Sequence, residues 1–251
     1  MTATDAVRDL VIANRILANE NVVDAYGHIS VRHPRDPSRF FLARSLAPDL
    51  VQKRDIMEFD LEGKPVGKDA RQPYLERFIH AAIYEARPDV NSVVHAHAED
   101  TLPFGISSAP LRPVIHSGAF IGHHVPVWDI AAKFGDRTNL LVTNTAQGRD
   151  LAQTLGNNAV ALMRGHGFAA AGRSIIEAVR ISIYLPRNAR VQLAAATLGG
   201  EVKPLSAGEI DSRLAGYKPF SPETWRAWEY WASRAGMGKQ IGKRPVEKKG
   251  K

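Results

Sequence analysis

The run Ser92-Val93-Val94-His95-Ala96-His97-Ala98 constrains this chain most. Its β-branched residues mark a strand, and the two-residue period of a strand puts His95 and His97 on one face. Two imidazoles one pleat repeat apart can clamp a divalent metal, which binds imidazole nitrogen at about 2.0–2.1 Å in the case of zinc. Alone, the pair fits two half-buried polar residues with backbone partners as well as it fits a clamp. A metal site needs a third ligand and an acid, delivered to this strand by the rest of the fold.

The chain contains no cysteine, so disulfides, thiolate ligands and cysteine nucleophiles are excluded and any metal site is built from nitrogen and oxygen donors. With 251 residues, 44% of them hydrophobic, the chain can bury a sizeable core. A single domain over residues 1–236 is expected, followed by a basic tail, 237–251, without fixed structure. The net charge of +7 is concentrated there, since Lys239, Lys243, Arg244, Lys248, Lys249 and Lys251 face only Glu247. The body carries about +2, too little for a nucleic-acid footprint. No apolar run of roughly 18 residues occurs, and Asp5, Arg8 and Asp9 interrupt the first segment, so neither a membrane span nor a leader is expected and the protein reads as cytoplasmic.

Helical spacing of Val7, Leu10, Val11, Ile16 and Leu17 predicts an opening helix over 4–19. A strand over 27–34 carries His28, Ser30 and Arg32 on a polar face, and Phe40–Ala43 reads as a second strand running into the polar turn at Arg44 and Ser45. Residues 56–66 read as a hairpin around Gly63. Pro73–Arg87 is the clearest helix, with a stripe of Leu75, Phe78, Ile79, Ala82 and Ile83 ended by Pro88, and with Glu76 and His80 one turn apart beside it. Further on, 138–144 is strand-like, 147–155 helical, 159–163 a buried strand running into Arg164-Gly165-His166-Gly167, and 174–196 a long helix containing Pro186. A last helix begins at Ser221-Pro222-Glu223, and its Trp225, Trp228 and Trp231 read as core or subunit contact.

Glu76 on a helix, His95 and His97 on the next strand and His166 between two glycines are together the parts of a catalytic metal centre: three imidazoles, an open position and a carboxylate. The set Gly27-His28-Ile29-Ser30, Glu76-x-x-x-His80, His95-x-His97 and Arg164-Gly165-His166-Gly167 resembles the class II aldolase/adducin-like family over roughly residues 5–200. The resemblance implies a three-layer α/β/α sandwich around a mainly antiparallel sheet. It also implies one divalent metal per subunit on His95, His97 and His166, with Glu76 as acid/base or fourth ligand, and a homo-oligomer, tetramer or higher. Zinc, manganese, cobalt and iron all suit such donors.

The chain departs from the family's sugar-phosphate aldolases where those hold phosphate. It has His28 in place of an asparagine, Arg44-Ser45 in place of Thr-Gly and Tyr74-Leu75 in place of a serine pair, and Ser117 stands where the aldolases place a proton-donating tyrosine. These replacements, with Gly27–Pro34 and Ala43–Pro48, look like the family's decarboxylase branch, which acts on hydroxylated aromatic or heteroaromatic dicarboxylates and on carboxylated muconic semialdehydes. The implied substrate is a small carboxylate bound by His28, Ser30, Arg44 and Ser45, with Arg44 offering a guanidinium fork to the carboxylate that stays. Loss of carbon dioxide leaves a carbanion that the metal stabilises and Glu76, or a water it positions, protonates. His116 and Tyr184 complete the candidate substrate set, each with a structural reading beside it. His80 reads as a packing residue, Arg32 as a surface one and His123-His124 as an exposed turn. The alternatives are a metal-dependent retro-aldolase or epimerase on a non-phosphorylated hydroxy-oxo acid and a non-catalytic adducin-like scaffold.

Overall fold

A computed structural model describes residues 2–245. In chain order it contains α1 (Ala3–Asn19), β1 (His28–Arg32), β2 (Arg39–Ala43), β3 (Ile56–Asp60), α2 (Arg77–Ala86), β4 (Ser92–Ala96), α3 (Leu102–Gly105), β5 (Val127–Trp128), α4 (Ile130–Phe134), α5 (Thr145–Leu155), β6 (Val160–Met163), β7 (Gly167–Gly172), α6 (Ile175–Thr197), α7 (Ala207–Ala215) and α8 (Pro222–Arg234). The strands form one seven-stranded sheet in the order β3-β2-β1-β4-β7-β6-β5. Every pairing is antiparallel except β5 with β6.

Both faces of the sheet are covered, which explains why the central strands β1 and β4 are buried at every position. On one face Val94, Ala96, Phe168 and Ala170 pack with α1, α6 and the three tryptophans of α8. On the other, Val93, Ala169 and Ala171 pack with α2 and α5. The result is the expected α/β/α sandwich. Strand alternation then sends His95 to the α2 side with Val93, and the polar face of β1 meets α2 as well, since His28 pairs with His95 in register.

Arg32 differs from its expected surface position. It is buried, and its guanidinium donates to the carbonyls of Val90 (2.8 Å), Pro37 (2.6 Å), Tyr84 (2.9 Å) and Arg87 (2.8 Å). The cation caps the carbonyl end of α2, where the helix dipole favours positive charge.

Four local expectations are corrected. Helix α2 starts at Arg77 rather than Pro73, so Glu76 stands at the residue before its first turn, and Leu75 is exposed rather than part of the buried stripe. The hairpin's second arm shrinks to a single bridge between Phe59 and Pro65. Residues 138–144 form a loop in which Leu140 takes a left-handed φ of 65°, incompatible with a continuous strand. Strand β7, Gly-Phe-Ala-Ala-Ala-Gly, was not expected as a strand, yet it is the neighbour of β4 at the centre of the sheet.

Trp225, Trp228 and Trp231 are buried within the chain's own core. Within the expected tail, Gly238–Gln240 form a 3-10 turn and Ile241 packs against the core, while residues 246–251 lie outside the described residues.

Candidate metal centre

Four side chains from three separate stretches converge. Glu76, His95, His97 and His166 place one donor atom each within 4.8 Å of one another. His97 Nε2 lies 3.0 Å from His95 Nε2 and 3.1 Å from His166 Nε2, while Glu76 Oε2 lies 3.3 Å from His95 Nε2 and 3.5 Å from His166 Nε2. Donors in a tetrahedral shell with bonds of about 2.0–2.1 Å stand roughly 3.3 Å apart. The spacing is that of a ligand set.

The proton positions fit a metal as well. His95 Nδ1 donates to the Phe168 carbonyl (3.0 Å) and His166 Nδ1 donates to the Leu140 carbonyl (2.9 Å), which leaves both Nε2 lone pairs directed at the centre. Glu76 does not cap α2. Its Oε1 accepts the Val142 N–H (3.0 Å) and its Oε2 turns to the histidines. The loop over 138–144 therefore orients two of the four groups, through Leu140 and Val142.

Two glycines make the close approach possible. A Cβ on Gly167 would lie 2.2 Å from the Ala96 carbonyl oxygen and 3.1 Å from His97 Cδ2, and a Cβ on Gly27 would lie 2.7 Å from Val23 Cγ1 and 3.0 Å from the His95 oxygen. Only glycine lets the His166 turn and the start of β1 lie this near to β4.

Electrostatics separate the groups. Burial pushes the Glu76 carboxyl up, but His95 and His166 outweigh it and hold the carboxyl well below the usual carboxylate range. Burial, reinforced by His95 and His166, lowers His97 to about 4, so this imidazole stays neutral and able to ligate at neutral pH. Burial pushes Tyr74 up to about 12.

A cavity of about 340 Å³ opens on the cluster, lined among others by Tyr26, His28, Ser45, Leu46, Tyr74 and Leu75, and also by Glu76, His97 and Leu141. An antiparallel bridge between Arg44 and Pro73 brings the Ser45–Ala47 turn beside Tyr74, whose hydroxyl donates to the Leu46 carbonyl. A larger cavity of about 590 Å³, with Glu20, Asp100, Arg187 and Arg190 in its walls, touches His97 from another direction.

Of the expected substrate residues, His28 and Ser45 line the smaller cavity. The others are placed elsewhere. Arg44 donates from Nε to Asp55 Oδ1 (2.8 Å) and is not among the residues lining the cavity. Ser30 is fully buried and bonded to His80 and Tyr84. His116 opens a 3-10 segment and lines a different cavity with Ser206, Glu209 and Arg213 of the α7 region. Tyr184 packs edge-on to Trp231 and under the Arg187 guanidinium. Tyr74 and Leu75, which stand where the aldolases' phosphate-binding serine pair would, line the cavity. Tyr26 was not singled out, and the signal available for it was proximity in sequence to Gly27.

Residues 8–193 match the family described as Class II Aldolase and Adducin N-terminal domain. Decarboxylase tropJ of Talaromyces stipitatus is 40% identical over 95% of this chain and 97% of its own. A 3,4-dihydroxyphthalate decarboxylase of Arthrobacter keyseri is 27% identical over 84% of this chain and 86% of its own. Among solved structures, an aldolase II superfamily protein from Pseudomonas syringae superposes with a TM-score of 0.77 at 22% identity, with 96% of each chain covered.

Proposed function

The chain belongs to the class II aldolase and adducin family, and from that premise we propose that it is a metal-dependent carboxy-lyase. Its substrate is a small hydroxylated aromatic or heteroaromatic dicarboxylate, or an acid of the 2-hydroxy-3-carboxymuconic semialdehyde type. The observation that carries the reading is the wall of the cavity beside the four donors. It is built from Tyr26, Tyr74, Leu46, Leu75, His28 and Ser45, without a lysine or arginine among the described lining residues. That wall suits a flat, mostly apolar ring. Similarity to two proteins named decarboxylases, one along nearly its whole length, supports the same choice of reaction.

His95, His97, His166 and Glu76 would hold the ion. A divalent ion supplies Lewis-acid stabilisation of the negative charge that departing carbon dioxide leaves on the substrate. Tyr26, Leu75 and Tyr74 exclude water from the ring's faces, and His28 and Ser45 orient its oxygen substituents. Glu76 Oε2 acts first as an acceptor and then passes a proton from water to the carbon that lost its carboxyl group. The Val142 N–H holds Oε1 still meanwhile. The active form in this reading is a homo-oligomer, tetramer or higher.

Carbon dioxide release is to be measured over a set of ortho-hydroxylated aromatic and heteroaromatic dicarboxylates with zinc, manganese, cobalt or iron added. Release with one of them, lost on chelation, is the expected result. His95→Ala and His97→Ala should lose bound metal in elemental analysis together with the activity. Pyruvate or an aldehyde as product would point to the retro-aldolase reading, and a protein that neither retains metal nor turns over any substrate would point to the scaffold.

A further inference from the structure

Behind His28 runs a file of polar groups that the proposed reaction does not touch. His28 Nδ1 lies 2.6 Å from His80 Nε2, His80 Nδ1 lies 2.7 Å from Ser30 Oγ, and Ser30 Oγ lies 2.7 Å from the Tyr84 hydroxyl. Ser30 and His80 are fully buried, Tyr84 nearly so, and Arg32 lies over the Tyr84 ring. Buried polar groups must be satisfied by one another, and that requirement fixes the direction of each bond.

Among the described residues Tyr84's hydroxyl has Ser30 Oγ as its one hydrogen-bond partner, so its hydrogen has no other acceptor. The phenolic hydrogen therefore goes to Ser30 Oγ. Ser30's own hydrogen goes to His80 Nδ1, so His80 carries its proton on Nε2 and gives it to His28 Nδ1. His28 is left with its proton on Nε2, the ring nitrogen with no protein partner among the described residues, in a side chain that lines the cavity beside the four donors. Reversing the file would strand the Tyr84 hydrogen in the core without an acceptor.

We propose that Tyr84, Ser30 and His80 are positioning residues that fix His28 as an Nε2–H donor, so that this point of the cavity recognises an acceptor oxygen of the substrate and holds no base. Identifying that acceptor as a substrate carboxylate rests on the decarboxylase reading, whereas the location of the proton rests on the file alone. Ser30 thereby acts on substrate through two imidazoles rather than by touching it.

Nitrogen-15 spectra of the histidines in the zinc-loaded protein test the proton's location without any variant. His28 is expected as the pure Nε2–H tautomer, and an Nδ1–H or mixed His28 overturns the proposal. In Tyr84→Phe the constraint at the closed end is gone, so a mixture of tautomers is expected. The KM of the decarboxylated substrate should then rise about tenfold, the equivalent of one lost hydrogen bond, with kcat within about twofold. His28→Gln, whose amide N–H can stand where Nε2–H stood, should retain more affinity than His28→Ala. A Tyr84→Phe protein with unchanged tautomer and unchanged KM overturns the proposal. A parent spectrum of pure Nε2–H in a protein that decarboxylates nothing supports the file and refutes the reaction assigned to the site.

Discussion

Arg32 sits in an alternating strand, yet its guanidinium is bound to four backbone carbonyls and makes no salt bridge to a carboxylate among the described residues. Arg32→Ala would take the side-chain donor from all four carbonyls and leave those of Tyr84 and Val90, buried at the end of α2 and before β4, without it, while Arg87's still accepts the Val90 N–H. A loss of about 3 kcal/mol is expected in urea unfolding, from the cost of unpaired buried polar groups. The imidazole of His80 gives a prediction of opposite character. Burial, reinforced by His95, lowers it to about 3 from an ordinary 6.5. Its unfolded form therefore binds more protons between those values, so its contribution to stability is complete above about 6.5 and is lost as pH falls toward 3. Urea midpoints at pH 7 and pH 5 should differ, and the part of the difference due to this group should vanish in His80→Gln. The setting of Arg32 could not be read from the chain, because alternation says that Arg32 and His28 share a face without saying what covers it, whereas His80, read as a packing residue, is fully buried.

Elements were legible where side chains carry the periodicity. Helices α1, α5, α6 and α8 and strands β1, β2, β4 and β6 stand where apolar spacing and caps put them, including Ser221 as an N-cap that accepts from the Thr224 N–H. Strand β7 was illegible because its alanines and glycines have low strand propensity; its place is set by the room that β4 and α6 leave. Conversely, Thr138–Asn144 has strand-like residues but is held as a loop by two polar demands, an acceptor for His166 and a donor for Glu76. Of the site, the four donors were legible and their orienting partners were not, since those partners are backbone groups. At this scale Gly167→Ala is informative: the added methyl meets the Ala96 carbonyl, so β7 must part from β4 just where His97 and His166 approach. A destabilisation of about 2–3 kcal/mol is expected, together with weaker metal binding in a chelator competition titration. Unchanged metal affinity would show that the turn adjusts without moving His166.

Across the whole molecule, the four donors come from before α2, from β4 and just past it, and from the turn between β6 and β7, so only the folded sheet brings them together. An ion that binds the folded chain alone stabilises it by mass action, about 4 kcal/mol at a free concentration 1,000 times its dissociation constant. Chelation should accordingly lower the melting temperature of the parent, and His97→Ala should melt at one temperature with or without chelator. The same loop that closes the centre sets a limit on how this protein can change. Leu140 and Val142, two residues apart, hold His166 and Glu76 respectively. Under the proposed function, ion affinity and proton transfer are in consequence yoked to one short segment, and a mutation there is expected to alter both at once. Ser45, Tyr26 and Leu75 lie on other segments and carry neither burden, so a lineage acquiring a new substrate has its free positions in that wall, while the loop stays as it is.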